Sequence, residues 1–142
     1  MKKALICSMM LLSFVSLGQT KNTPSTDWVQ YTEQEGILFY LKRDNCEMVG
    51  STKPLYYSFL KIENTTNEKV YISFNYGLQY EEGCSGCDDY SEHHVEMSIE
   101  PNQTLEGDCT FSNGKLTRLI VNPNLSGGWK FKEEKITNIN IQ

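Results

Sequence analysis

The chain has 142 residues and a formal net charge of −5 at neutral pH. Such acidity excludes a nucleic-acid phosphate partner, which needs a basic face. The length suits one hydrophobic core and is too short for two.

The chain opens Met1-Lys2-Lys3 and then runs apolar from Ala4 to Leu17, shorter than the roughly 20 residues of a membrane-crossing helix. Ser16 and Gly18 place small residues at positions −3 and −1 of a cut before Gln19. Positive start, short apolar middle and small-residue end read as a cleavable signal peptide over 1–18, rather than a buried N-terminal helix. Cleavage removes two lysines and no acids, so the formal charge of −5 becomes −7, and Cys7 leaves with the leader. The mature product is expected to be secreted or periplasmic, with no membrane span. The Lys-Lys start and short leader look bacterial. Polar residues 19–27, with Pro24, read as a flexible lead-in, and 28–142 as a single domain.

From Trp28 onward the apolar period is two. Trp28 to Thr32 supplies a first strand, turning at Gln34-Glu35-Gly36. Ile37, Phe39 and Leu41 share one face of the next. In Tyr56 to Glu63, Leu60 and Ile62 oppose Tyr57 and Phe59. The polar run Asn64 to Lys69 is expected to be a hairpin turn into Val70 to Tyr80. There Val70, Ile72, Phe74, Tyr76, Leu78 and Tyr80 alternate with Tyr71, Ser73, Asn75, Gly77 and Gln79.

Val95, Met97 and Ile99 alternate next, ending at Pro101-Asn102, and Thr104 to Cys109 returns. Shorter strands are expected at Arg118 to Val121, Trp129 to Lys132 and Ile139 to Ile141, with breaks at Asn122-Pro123-Asn124 and Gly127-Gly128. Seven to eight short strands point to an all-β, antiparallel, immunoglobulin-like sandwich, with a small β-barrel as the alternative. The segment Leu60 to Thr66 resembles the sandwich domains of exported proteins, in which an apolar strand ends in Asn and a polar turn.

Four cysteines remain after cleavage: Cys46, Cys84, Cys87 and Cys109. An even number in an exported chain reads first as disulfides, with three possible pairings. Hairpin connectivity would gather all four at one end, and loop entropy then favours Cys46 and Cys109 each bonding one member of the Cys84/Cys87 pair. Zinc or a redox-active Cys84-x-x-Cys87 are the rival outcomes.

The run Asp88 to His94 adds carboxylates, His93 and His94 as further metal candidates. Adjacent histidines on a strand point to opposite faces, which counts against a shared metal, and the run reads first as a solvated acidic loop. Glu81-Glu82 and Glu133-Glu134 read as exposed charge rather than a hydrolase's acid pair. Tyr71 faces away from the core, where Tyr40 or Tyr57 on a neighbouring strand would make a sticky patch; packing of those rings across strands is the plainer reading. Asn64-Thr65-Thr66, Asn102-Gln103-Thr104 and Asn124-Leu125-Ser126 match a glycosylation pattern but are read as turn chemistry.

The chain carries no nucleophile elbow, phosphate loop or dinucleotide fingerprint, and no cofactor is implied. The functional expectation is a non-enzymatic binding or structural module, its partner another exported protein or a cell-surface component. The alternative is a metal-binding or redox protein using Cys84 and Cys87.

Overall fold

Period-two alternation builds nine strands in the computed structural model, which describes residues 27–88, 92–120 and 130–142. They are β1 (Val29–Gln34), β2 (Ile37–Cys46), β3 (Leu55–Asn64), β4 (Val70–Tyr80), β5 (Gly83–Ser85), β6 (His94–Ile99), β7 (Thr104–Glu106), β8 (Thr117–Leu119) and β9 (Phe131–Ile141). The expected leader 1–18, the lead-in up to residue 26, the breaks at 122–124 and 127–128 and the third glycosylation pattern lie outside the described residues.

Two antiparallel sheets form, and neither closes into a barrel. In sheet A the order is β1-β2-β3, and β7 and β8 share the far edge of β3. In sheet B, β4 pairs with β9 along one edge and with β6 and β5 in succession along the other. Inward residues of both sheets make the core: Ile37, Phe39 and Leu60 from sheet A meet Ile72, Phe74 and Val95 from sheet B. Phe39 and Phe74 meet edge to face with centroids 5.6 Å apart, joining the layers. Such a pair adds about 0.5–1.5 kcal/mol to the burial of its rings.

The β1–β2 turn is a two-residue hairpin with Glu35 at φ 51° and Gly36 at φ 78°. Both central residues are left-handed, as a type I′ turn requires, and its twist matches the flanking strands.

Two expectations are corrected. Asn64 to Lys69 does not join hairpin partners: β3 lies in sheet A and β4 in sheet B, so this turn crosses between layers. The Pro101-Asn102 turn crosses back from β6 to β7. Asn64 ties the two crossings together. Its side chain, wholly buried, donates to the carbonyls of Glu68 (2.8 Å), Ile99 (3.2 Å) and Glu100 (3.1 Å) and accepts from the Thr66 amide and hydroxyl (2.9 and 2.7 Å). Every polar atom is thus satisfied at a layer junction where an apolar residue would leave carbonyls orphaned.

The second correction concerns the last strand. The short strands expected at Trp129 to Lys132 and Ile139 to Ile141 are parts of one strand, β9, for the described residues. Asn138 at φ 55° sits where the β4–β9 register slips, a bulge that turns Ile139 and Ile141 toward the core cluster.

Candidate functional site

The two outer faces of the sandwich differ. On sheet A, Cys46, Tyr57 and Phe59 point outward and form a second apolar cluster with Phe111, whose ring lies 5.2 Å from that of Tyr57. The loop carrying Phe111 is fastened down by the Cys46–Cys109 disulfide, Cα atoms 5.5 Å apart. Asp108 shapes this loop by accepting from the Thr110 hydroxyl (2.6 Å) and amide (2.8 Å), bonds that hold its carboxyl below the usual range. Lys42 and Lys61 lie over the Trp28 ring at 5.4 and 5.2 Å, so much of this face is already occupied.

On sheet B, Cys84 is bonded to Cys87, Cα atoms 5.9 Å apart. The chain here folds back over the outer face of β4. A Cβ on Gly77 would stand 2.8 Å from Cys87 Sγ, so the glycine is what lets the loop lie flat. Buried Asn75 donates to the carbonyls of Asp88 (2.9 Å) and Cys87 (3.4 Å), and Thr137 donates to the latter from the next strand (3.2 Å).

The pairing therefore differs from the expected one. Both bonds lie toward the end where β2 and β4 finish, but on opposite outer faces, because the chain crosses between sheets after β3. The thickness of the sandwich separates Cys46 from Cys84 and Cys87. Among the described residues, no three His, Cys, Asp or Glu side chains converge as a metal site.

The histidines take separate roles. His94 Nδ1 meets Asn75 Oδ1 at 2.7 Å, and its Nε2 lies 3.4 Å from Glu96. Asn75 has committed its amide hydrogens to the loop carbonyls, so the imidazole donates from Nδ1. His93 packs on Gly86, where a Cβ would overlap the ring and φ is +86°. Burial, helped by the nearby Arg118 cation, pulls the His93 pKa below its ordinary value. Arg118 fills the gap between β5 and β6 on the edge of β4, donating to the carbonyls of Tyr76 (3.0 Å) and His93 (3.3 Å).

A buried polar cluster stands between the sheets, and the expectation for Glu134 is corrected there. Glu134 is only 3 % exposed and takes a two-pronged bond from Arg43, both distances 2.7 Å. Ser58 donates to it at 2.8 Å and shares a 2.7 Å bond with the Tyr76 hydroxyl. The hydrogen bond to Glu134 raises the Arg43 pKa, and burial pushes that of Tyr76 well up, so the phenol stays neutral. Phe131 covers the guanidinium at 4.9 Å. All four polar groups are engaged with one another, which makes this a structural pin. Glu133, by contrast, is exposed and paired with Lys135.

Below the Cys84–Cys87 loop, the outer face of sheet B opens into a groove of about 410 Å³. Adjacent strands supply it in rows: Gln142, Tyr71 and Ser98, then Asn140, Ser73 and Glu96. Tyr71 is 59 % exposed. The alternative of a patch joining Tyr71 with Tyr40 or Tyr57 does not form, because those two belong to sheet A; Tyr57 stacks with Phe59, in keeping with the plainer reading. The groove went unread in the sequence because outward polar residues on a strand are the ordinary case.

No protein-family model matches the chain, and comparison with curated proteins and with solved structures found no match. The class is therefore defined by the architecture alone: a two-sheet, disulfide-bonded antiparallel β protein. Two disulfides point to an oxidising, non-cytoplasmic setting. No helix among the described residues is long and apolar enough to cross a membrane.

Proposed function

We propose that the protein is an exported, non-enzymatic binding module of immunoglobulin-like type, secreted or periplasmic in a bacterium, and that its ligand seats on the outer face of sheet B. The leader-like residues 1–18 and the oxidised cysteines support export. The observation that carries the binding reading is the contrast between the two faces. Much of sheet A's outer face is covered by its own disulfide-fastened loop and by Trp28 with its lysines, whereas sheet B, beyond its Cys84–Cys87 loop, keeps a 410 Å³ groove with an exposed aromatic ring and rows of polar groups. Among the described residues its lining holds one carboxylate, Glu96, rather than the pair that most glycosidases use.

Arrays of immobilised glycans and peptides test this reading. Wild-type protein and a Ser73→Arg/Ser98→Arg variant, which fills the groove without touching the core, are applied in parallel. The expected result is a set of wild-type signals lost in the variant. Signals that survive the block, or no selective signal of any kind, would contradict it.

A redox role for Cys84 and Cys87 is the second reading, favoured by a bond spanning three residues in a half-exposed turn. A metal role for these cysteines with His93 or His94 would need that bond reduced first, since thiolates and not disulfide sulfurs are ligands.

A further inference from the structure

The geometry points to a neutral oligosaccharide as the occupant of the sheet B groove, a step that rests on the binding reading above. Four observations carry it. First, Ser73, Ser98, Asn140 and Gln142 line the groove, and among the described residues their side chains make no hydrogen bond within the protein. Hydroxyls and carboxamides both donate and accept, which is what a sugar hydroxyl offers in return. A ligand that only accepts or only donates would use half of this capacity.

Second, among the described residues no Lys, Arg or His lines the groove, and Glu96 does. A phosphate, sulfate or uronate would meet a carboxylate and no cation to pair with it. The Lys69 ammonium, 5.9 Å from the Tyr71 ring, is paired with Glu100 at 2.6 Å. Third, Tyr71 offers the main apolar surface, since Ile72 points into the core. One exposed ring suits the C–H face of a pyranose and is too little for a lipid chain. Fourth, the groove runs across the face of three strands and not along a free edge. Strand addition by an extended peptide needs the unpaired backbone groups of an edge.

Within this arrangement Tyr71 is the stacking platform, the amides and hydroxyls set the register of the sugar, and Glu96 accepts from paired hydroxyls. His94 fixes Glu96 from one side, and His94 is itself held by Asn75. The Cys84–Cys87 loop closes the upper end, so the sugar chain lies across the strands below it.

The test is calorimetric and NMR titration of the oxidised full-length mature protein with neutral hexaoses (cello-, xylo-, manno- and chitohexaose) and with an oligogalacturonate. At least one neutral hexaose is expected to bind and to shift the amides of Tyr71, Ser73, Ser98 and Asn140. Tyr71→Ala should weaken that binding roughly tenfold or more, as loss of an anchoring aromatic does, while Val49→Ser, on a fully exposed loop, leaves it unchanged. Four results would overturn the proposal: no neutral hexaose binding, tighter binding of the oligogalacturonate, indifference to Tyr71→Ala, or groove shifts that follow protein concentration alone and so reveal a second copy of the chain. The arrays separate this failure from that of the binding reading. A peptide signal lost on blocking the groove keeps the face and removes the sugar.

Discussion

Glu134→Leu is expected to lower stability by about 3 kcal/mol, the low end of the cost of breaking a buried ion pair by removing one partner, because Arg43 keeps a quarter of its side chain exposed. The substitution strands Arg43 beneath Phe131 with its two-pronged acceptor gone, and it leaves the Ser58 hydroxyl with Tyr76 as its one partner. Much of that loss is the penalty of an uncompensated charge and not the worth of the bond. The double variant Arg43→Met/Glu134→Leu should therefore recover most of it, because two apolar side chains of similar volume meet across the sheets. Urea unfolding at neutral pH reads both effects from the midpoint. A single variant as stable as wild type, or a double variant no better than the single, would contradict the assignment of this cluster as a structural pin.

The two disulfides should differ in the same assay. Cys46–Cys109 spans 63 residues and Cys84–Cys87 spans three. In the chain-entropy account these loops are worth roughly 4 and roughly 2 kcal/mol. Cys46→Ala/Cys109→Ala also loosens the loop whose Phe111 covers Tyr57, so its loss should reach or exceed the entropic figure. Cys84→Ser/Cys87→Ser should cost less, and its main effect should be local, on amide exchange around Gly77 and Asn75. If the second variant proved the more destabilising, the short bridge would hold more of the structure than its packing on Gly77 accounts for. Reduction by a dithiol separates the redox reading from the binding one. Binding that persists unchanged once Cys84 and Cys87 are thiols assigns the bond a role outside the groove.

Alternation made most of the core legible. The inward set Val70, Ile72, Phe74, Tyr76, Leu78 and Tyr80 is buried throughout, and Ile37 and Phe39 face it from the other layer. Connectivity was not legible, because a six-residue polar turn such as Asn64 to Lys69 serves a hairpin or a crossing equally well. That ambiguity misdirected the cysteine pairing. The buried ion pair did leave a signal. Arg43 continues the inward series Ile37, Phe39, Leu41, and Glu134 stands two residues before inward Ile136. Two opposite charges at core positions of two strands predict each other, but adjacent acids read most simply as surface charge. The groove left none, since Ser73, Ser98 and Asn140 read in the sequence as ordinary outward polar residues.

On the proposed reading the open face of sheet B is the working surface. Hydroxyl-radical footprinting tests it without knowledge of the ligand, by comparing oxidation of the protein in its native compartment with that of the purified chain. Tyr71 is predicted to be protected in the native setting, while exposed Val49 and Leu119 label equally in both. Equal labelling of Tyr71, or protection confined to sheet A, would contradict the account.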